Sequence, residues 1–218
     1  MQRIYAIAAA AAAVALIGGT WMLTASRTDA LAACLSDGVL RGGDSFGGPF
    51  TLVTHRGETV NDKEVITKPS LIYFGYTFCP DVCPLDNARN AAAVDLLTEA
   101  GHDVQQIFIS IDPERDTPET LAHYAELVHP DMIAMTGSEE QVKEASKAYR
   151  VAYSRGADDG DGFYLVNHST FTYLTLPDEG VVGIFHMAGA IDTQFGELRE
   201  GVTEEKVAEV TACMLDAV

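Results

Sequence analysis

The longest unbroken apolar stretch is residues 4–25, a run of 22 positions without a charge that includes Ala8, Val14, Leu16, Ile17, Trp21 and Leu23. As a helix rising 1.5 Å per residue it is about 33 Å long, enough to cross a hydrocarbon core of roughly 30 Å. Two shorter runs, residues 70–76 (Ser-Leu-Ile-Tyr-Phe-Gly-Tyr) and 104–111, have the length of strands. The first is nearly continuous in its apolar character, the pattern of a strand buried on both faces in the middle of a sheet. Residues 85–100 are rich in Ala and Leu and stop at Gly101, as a helix with a C-terminal glycine does. Thr117-Pro118-Glu119 offers an N-cap, a proline in the first turn and an acid at the positive end of the dipole, predicting a helix to about Val128. Ser138-Glu139-Glu140-Gln141 opens another to about Tyr149, and residues 203–215 form a last one. Shorter strands are predicted at 49–53, 132–136, 151–154 and 162–165. Residues 170–176 and 181–186, joined across Pro177-Asp178-Glu179-Gly180, form a hairpin by turn chemistry. No internal repeat is present. Strands alternating with helices, then a hairpin and a closing helix, predict an α/β domain of three layers.

Arg3 and the α-amino group precede the apolar run, which favours an N-terminus in the cytoplasm and everything after Arg27 on the far side of a membrane. A cleaved signal peptide competes with this anchor, because Ala30-Leu31-Ala32 offers a cleavage site, although the run exceeds the usual 7–15 apolar residues of such peptides, roughly. Leu31-Ala32-Ala33-Cys34 also resembles a bacterial lipoprotein cleavage box. All three readings export the domain. The expected organisation is an anchor or signal segment at 1–27, a Gly-, Asp- and Ser-rich linker at 28–45 and one domain at 46–218.

Charge then changes the picture. The 218 residues hold 14 Lys+Arg against 32 Asp+Glu, a formal net charge of −18, and removing Arg3 and Arg27 leaves −20 for the exported part. An acidic chain of this kind lacks the basic face that nucleic acid requires, and it has no polybasic patch for anionic lipids. Attachment to a membrane is therefore hydrophobic. A partner with a basic docking patch suits such a surface.

Export also changes how the four cysteines read, since an oxidising compartment lets disulfides persist. Cys34 and Cys213 lie near the two ends of the exported part, and domain termini often lie close together. A Cys34–Cys213 bridge is one expectation; a free or lipidated Cys34 with a buried Cys213 thiol is the other. Cys79 and Cys83 sit four apart where a central strand meets a helix, inside Cys79-Pro80-Asp81-Val82-Cys83-Pro84. Positions i and i+4 share a helix face, and the positive helix end favours thiolate over thiol. The spacing suits a soft metal or a redox pair, and two merely structural cysteines are the plain alternative. A trigonal soft-metal site needs a third ligand, with Cu(I) the metal such donors select. His168, at the boundary between two predicted strands, is the best placed of the six histidines, although a lone histidine is more often only hydrogen-bonded. His55, His102, His123 and His129 fall in turns or on helix faces and are expected in solvent. His186-Met187 offers nitrogen and sulfur, but neighbours along a strand point to opposite faces. The loop Asp158-Asp159-Gly160-Asp161 lacks the spacing of a calcium loop and reads as a solvated turn. Asp112 and Asp116, beside the cysteine loop, are expected to make a turn and cap a helix.

Three motifs in order resemble one family. Residues 73–84 (Tyr-Phe-Gly-Tyr-Thr-Phe-Cys-Pro-Asp-Val-Cys-Pro), residues 109–118 (Ile-Ser-Ile-Asp-Pro-Glu-Arg-Asp-Thr-Pro) and Leu165-Val166-Asn167-His168-Ser169 with Leu174 look like the Sco/SenC family. The resemblance spans roughly residues 46–215. It implies a membrane-anchored, thioredoxin-like copper protein that helps assemble the binuclear copper centre of cytochrome c oxidase. It further implies Cys79, Cys83 and His168 as ligands of Cu(I), with Cu(II) left open. The partners it implies are the copper-bearing subunit of the oxidase and a periplasmic copper donor or thiol reductant. The location it implies is the bacterial inner membrane, crossed once, with the soluble domain in the periplasm. Asn167 departs from the family, which usually has Asp before the histidine. The alternative activity is a thiol–disulfide oxidoreductase that uses Cys79 and Cys83 to keep the partner's copper-ligand cysteines reduced. A peroxidase is a third reading, weakened by Tyr76 where such enzymes place Thr or Ser three residues before the reactive cysteine.

Overall fold

The computed structural model describes residues 13, 14, 16, 30–157, 163–187, 191, 192, 197, 198 and 201–218. The expected anchor at 1–27, save three positions, and the acidic loop 158–161 lie outside the described residues. Among the described residues no helix is long and apolar enough to cross a membrane.

Along the chain the first elements are β1 (Val39–Arg41), β2 (Thr51–Thr54), β3 (Thr59–Asn61), the single-turn helix α1 (Asp62–Val65) and β4 (Ser70–Gly75). Then come α2 (Val82–Glu99), β5 (Gln105–Ser110), α3 (Pro118–Val128), β6 (Ile133–Thr136) and α4 (Glu139–Ala148). The rest are β7 (Tyr153–Arg155), β8 (Val166–His168), β9 (Phe171–Leu176), β10 (Gly180–His186), β11 (Ile191–Asp192), β12 (Glu197–Leu198) and α5 (Glu204–Asp216).

Eight strands form one mixed sheet in the order β1-β10-β9-β4-β5-β6-β2-β3. Its centre follows from the apolar pattern. Every residue of β4 and β5 is buried, and the two pair in parallel from Ser70 opposite Gln105 to Gly75 opposite Ser110. A parallel pair needs a crossover, and α2 supplies it. β5 and β6 are also parallel, joined through α3, while β9 lies antiparallel to β4 on the other side. The helices start where the sequence puts their caps: the Thr117 hydroxyl accepts from Thr120 N–H, and Ser138 with Gln141 forms a capping box.

α2 departs from simple amphipathicity. Its buried side carries Asp86, Asn87 and Asn90 alongside Ala91, Ala93, Val94 and Leu97. Each polar group is partnered, as burial requires: Asn90 exchanges hydrogen bonds with the Thr172 hydroxyl, and Gln106 on β5 donates to the Asn87 carbonyl oxygens. α5 packs against α2 and β10. A Cβ at Gly183 would lie 2.9 Å from Met214 Sδ, so the glycine is what lets α5 approach β10.

Several elements differ from expectation. α2 starts at Val82 rather than at 85, because Pro84 fits a first turn, where its missing N–H is not needed. The strand expected at 162–165 is instead β8, which pairs with β7 in a separate two-stranded sheet; Phe163 and Leu165 are exposed on either side of buried Tyr164. Within the segment 28–45, expected as a linker, β1 pairs with β10 at the sheet edge. Only Val39 of its three residues is buried, which leaves no apolar run to read. β3 and α1 are likewise unannounced by hydrophobicity, α1 resting on a capping box between Asn61 and Glu64.

Cys34 and Cys213 are disulfide-bonded across 179 residues, with Cα atoms 5.7 Å apart, which fastens the N-terminal segment to α5. Closing so long a loop removes denatured-state entropy worth up to about 5 kcal/mol. In a Cys79→Ser/Cys83→Ser background, replacing Cys34 and Cys213 by Ser is expected to lower stability by about 2–5 kcal/mol in urea unfolding. An unchanged midpoint and slope would show that the bridge contributes nothing.

Candidate metal centre

The site forms where β4 ends and α2 begins. The chain leaves β4 at Gly75, runs through Tyr76-Thr77-Phe78 to Cys79, and enters α2 at Val82. Two buried contacts fix this turn. Asp116, wholly buried, accepts hydrogen bonds from the Thr77 N–H (3.1 Å), the Thr77 hydroxyl and the Ser110 hydroxyl. Burial pushes the Asp116 carboxyl above the ordinary carboxylate range, against these hydrogen bonds, which lower it. At the other contact, Cys83 is seated against the end of β4. A Cβ at Gly75 would lie 2.9 Å from Cys83 Sγ and 2.9 Å from Tyr73 Cε1, so only glycine leaves room for the sulfur. Asp81 at the N-cap of α2 makes no side-chain capping bond. Cys79 Sγ takes that role, accepting from the Cys83 N–H at 3.4 Å. The two cysteines therefore converge across a loop–helix junction rather than along one helix face.

His168, the last residue of β8, completes the cluster. Its Nε2 lies 3.3 Å from Cys83 Sγ, and one ligand atom from each of Cys79, Cys83 and His168 lies within 4.8 Å of the others. Its Nδ1 is 2.9 Å from the Ser169 carbonyl oxygen. A carbonyl only accepts, so Nδ1 carries a proton, and Nε2 is the ring nitrogen turned toward the sulfur. The rings of Tyr73 and Tyr76 meet the imidazole edge-on at 6.2 and 5.9 Å between centroids. The Tyr73 hydroxyl donates to buried Asp86 at 2.9 Å, and Asp86 pairs with Arg89 at 3.0 Å. Burial, above all, raises Tyr73 so that it keeps its proton.

The two thiols are inequivalent. Cys83 is fully buried and Cys79 is 8% exposed. The hydrogen bond between them is the main cause of a lowered Cys79 and a raised Cys83: one proton stays with Cys83 and points at a Cys79 thiolate. Desolvation adds to the rise at Cys83 and opposes the fall at Cys79, to which the His168 ring and then the N–H groups of Asp81 and Cys83 contribute. Two sulfurs and an imidazole nitrogen converging in a buried pocket are donors that suit a soft, low-coordinate cation.

Other residues singled out by sequence lie elsewhere. His186 stacks edge-on against Phe171 and Met187 is fully buried, neither within the cluster. His55, expected in solvent, is half-buried and accepts from Ala134 N–H; His129 interacts with Asp95 and Asp131. Alternation along β8 puts Asn167 on the exposed side, away from the sulfurs. Thr117 does the helix capping, while Asp112 pairs with Arg115 and Asp116 binds the cysteine loop. Tyr73, Tyr76, Asp86 and Tyr164 were not singled out as site residues. The signal of Tyr73 and Tyr76, tyrosines inside a nearly apolar run, is visible only once the polar partner is known.

Because the folded site lowers Cys79, the reduced metal-free protein is expected to show one thiolate by absorbance near 240 nm at neutral pH, persisting well into acid. Cys83→Ala removes the donor and should move that transition up toward the ordinary thiol value of about 8.5. Absence of thiolate at neutral pH in the parent would contradict the shared-proton pair.

The comparisons with known proteins agree with this geometry. The family profile described as SCO1/SenC matches residues 39–203. Protein SenC of Rhodobacter capsulatus is 47% identical over 214 residues, covering 97% of this chain and 90% of that protein. Among solved structures, Arabidopsis thaliana ScoI with copper bound superposes with a TM-score of 0.67 at 34% identity, over 78% of this chain and 99% of that one. Bradyrhizobium japonicum ScoI with copper bound gives 0.64 at 31% identity, over 79% and 99%. The fold is thus the thioredoxin-like α/β fold of the Sco structures, and with its sequence matched across the domain the chain belongs to the SCO1/SenC family.

Proposed function

We propose that the reduced protein binds Cu(I) through Cys79 Sγ, Cys83 Sγ and His168 Nε2 and passes it to the copper-bearing subunit of cytochrome c oxidase. The observation that carries this reading is the convergence of three soft or borderline donors within 4.8 Å, one of them an imidazole whose Nδ1 is held by the Ser169 carbonyl so that Nε2 faces the sulfurs. Copper bound to relatives of the same fold supports it. The copper is cargo: a thiolate of the partner displaces one ligand at a time, so the ion is never released to water. Cys79, the more exposed sulfur, is the one a partner reaches first. Exposed Phe78 and Leu85 flank the cysteines in sequence and exposed Phe163 and Leu165 precede the histidine, giving a partner apolar surface to cover. Residues 4–25 anchor the domain, which works on the periplasmic side. The oxidised protein carries no copper, since the Cys79–Cys83 disulfide has no thiolate to offer.

The unequal thiols favour a second activity at the same site. A Cys79 thiolate attacks a partner disulfide, and the sulfur–sulfur bond of the partner breaks as a mixed disulfide forms. Cys83, once deprotonated, then attacks Cys79 and releases the partner as a dithiol. The balance is two electrons and the Cys83 proton moved from this chain to the partner, whose second thiol takes its proton from water, leaving Cys79–Cys83 oxidised.

Two variants test the site, and the second separates the readings. Cys79→Ser/Cys83→Ser should abolish stoichiometric Cu(I) binding and dithiol reduction alike. His168→Ala should abolish tight copper binding and largely spare reduction of a model disulfide. Retention of one equivalent of Cu(I) by the double serine variant after dialysis would overturn the assignment of the site.

A further inference from the structure

The histidine and the cysteines belong to different sheets. β8 pairs only with β7, and no ladder among the described residues joins that pair to the eight-stranded sheet whose β4 leads to Cys79. The chain itself ties His168 to the larger sheet, since β9 starts three residues later at Phe171 and pairs with β4, and side-chain bridges between β8 and the cysteine loop add to that link. One bridge is the Val166 N–H, which donates to the Tyr76 hydroxyl at 3.2 Å. The larger bridge is Arg115, in the loop between β5 and α3. Its guanidinium pairs through Nε with Asp112 and donates through Nη1 to the Tyr164 carbonyl at 3.0 Å. Its Cζ lies 3.6 Å from the Tyr164 ring centroid, 4.7 Å from that of Phe78 and 5.7 Å from that of Tyr76. Phe78 adjoins Cys79, and Tyr164 leads into the strand that ends at His168. Arg155 Cζ also stands 3.6 Å from the Tyr164 centroid. Two guanidinium groups cannot share one face at that distance, so they clamp the ring between them. The Tyr164 hydroxyl donates to Asp112 at 2.7 Å and closes the circuit.

We propose that Arg115 is the positioning residue of the metal site: it ties the histidine segment to the cysteine loop and so sets where His168 Nε2 stands relative to the two sulfurs. This rests on the reading of Cys79, Cys83 and His168 as ligands. Among the described residues Arg115 Nη2 is buried with no hydrogen-bond partner. A planar fork that stacks and bonds at once is also beyond lysine, so charge by itself does not perform this task.

The test uses the full-length protein with Arg115→Ala and, should that variant not fold, Arg115→Lys, each checked by thermal unfolding. In the reduced metal-free state, nuclear Overhauser contacts between the His168 and Tyr76 rings should be lost or much weakened. Cu(I) affinity should fall about 10–100-fold, the range seen when groups that orient a metal ligand are removed. Adding His168→Ala to the Arg115 variant should cost no more than His168→Ala alone, because both act through the same ligand. Wild-type ring contacts in a folded Arg115 variant, or copper losses that add fully, would overturn the proposal. The ring contacts are read without metal, so a parent protein that fails to bind copper would sink the ligand assignment while leaving the positioning role to be judged separately.

Discussion

Asp116 holds the working end of the sheet together. One wholly buried carboxylate accepts from the backbone and hydroxyl of Thr77 and from the hydroxyl of Ser110, and its own residue leads directly into α3. It thereby joins the ends of two parallel strands to the start of a helix. A carboxylate is a costly group to bury, and hydrogen bonds to a charged acceptor contribute about 1.5–3 kcal/mol each in return. Everything at the site is measured from this point: the turn from Thr77 to Cys79, the neighbouring Arg115, and through it the strand that carries His168.

The same end of the sheet accounts for the chemistry. Central parallel strands have no free edge and no room on either face, so a functional group can be placed only beyond their C-terminal ends. There the chain needs a residue with no side chain, Gly75, to admit a sulfur, and a helix start whose cap position is filled by the other sulfur. The result is a pair of thiols in unlike surroundings, one fully buried and one just reaching solvent at 8% exposure. That inequality serves ligand exchange and disulfide exchange equally well. The histidine adds a nitrogen donor to the two thiols, and it is delivered by a strand of a different sheet.

Much of this was legible in the sequence, and the reason is physical. Continuous apolar runs mark strands buried on both faces, so β4 and β5 were evident, and capping residues located α3 and α4. Cys79 and Cys83 could be placed at a strand–helix junction because that junction is written in Gly75, Pro80 and Pro84. Edge elements were less visible. β1 buries one side chain and α1 depends on a capping box, and neither leaves a periodic signal. The exposed Phe163 and Leu165 misled the reading of β8, because in a loop that borders a site apolar residues need not signal burial. Spacing alone nominated His168 without deciding it; the Nδ1 bond to Ser169 that turns Nε2 toward the sulfur is a tertiary fact. Arg115 stood in the sequence only as part of the second motif, since stacking against Tyr164 and Phe78 brings together residues far apart in the chain.

The central claim is that two sulfurs and one nitrogen act as a unit. It is tested most directly by X-ray absorption on the reduced protein loaded with one equivalent of Cu(I). The account expects a first shell of two sulfurs and one imidazole nitrogen. A shell of sulfur only, or copper that washes away on dialysis, would contradict it.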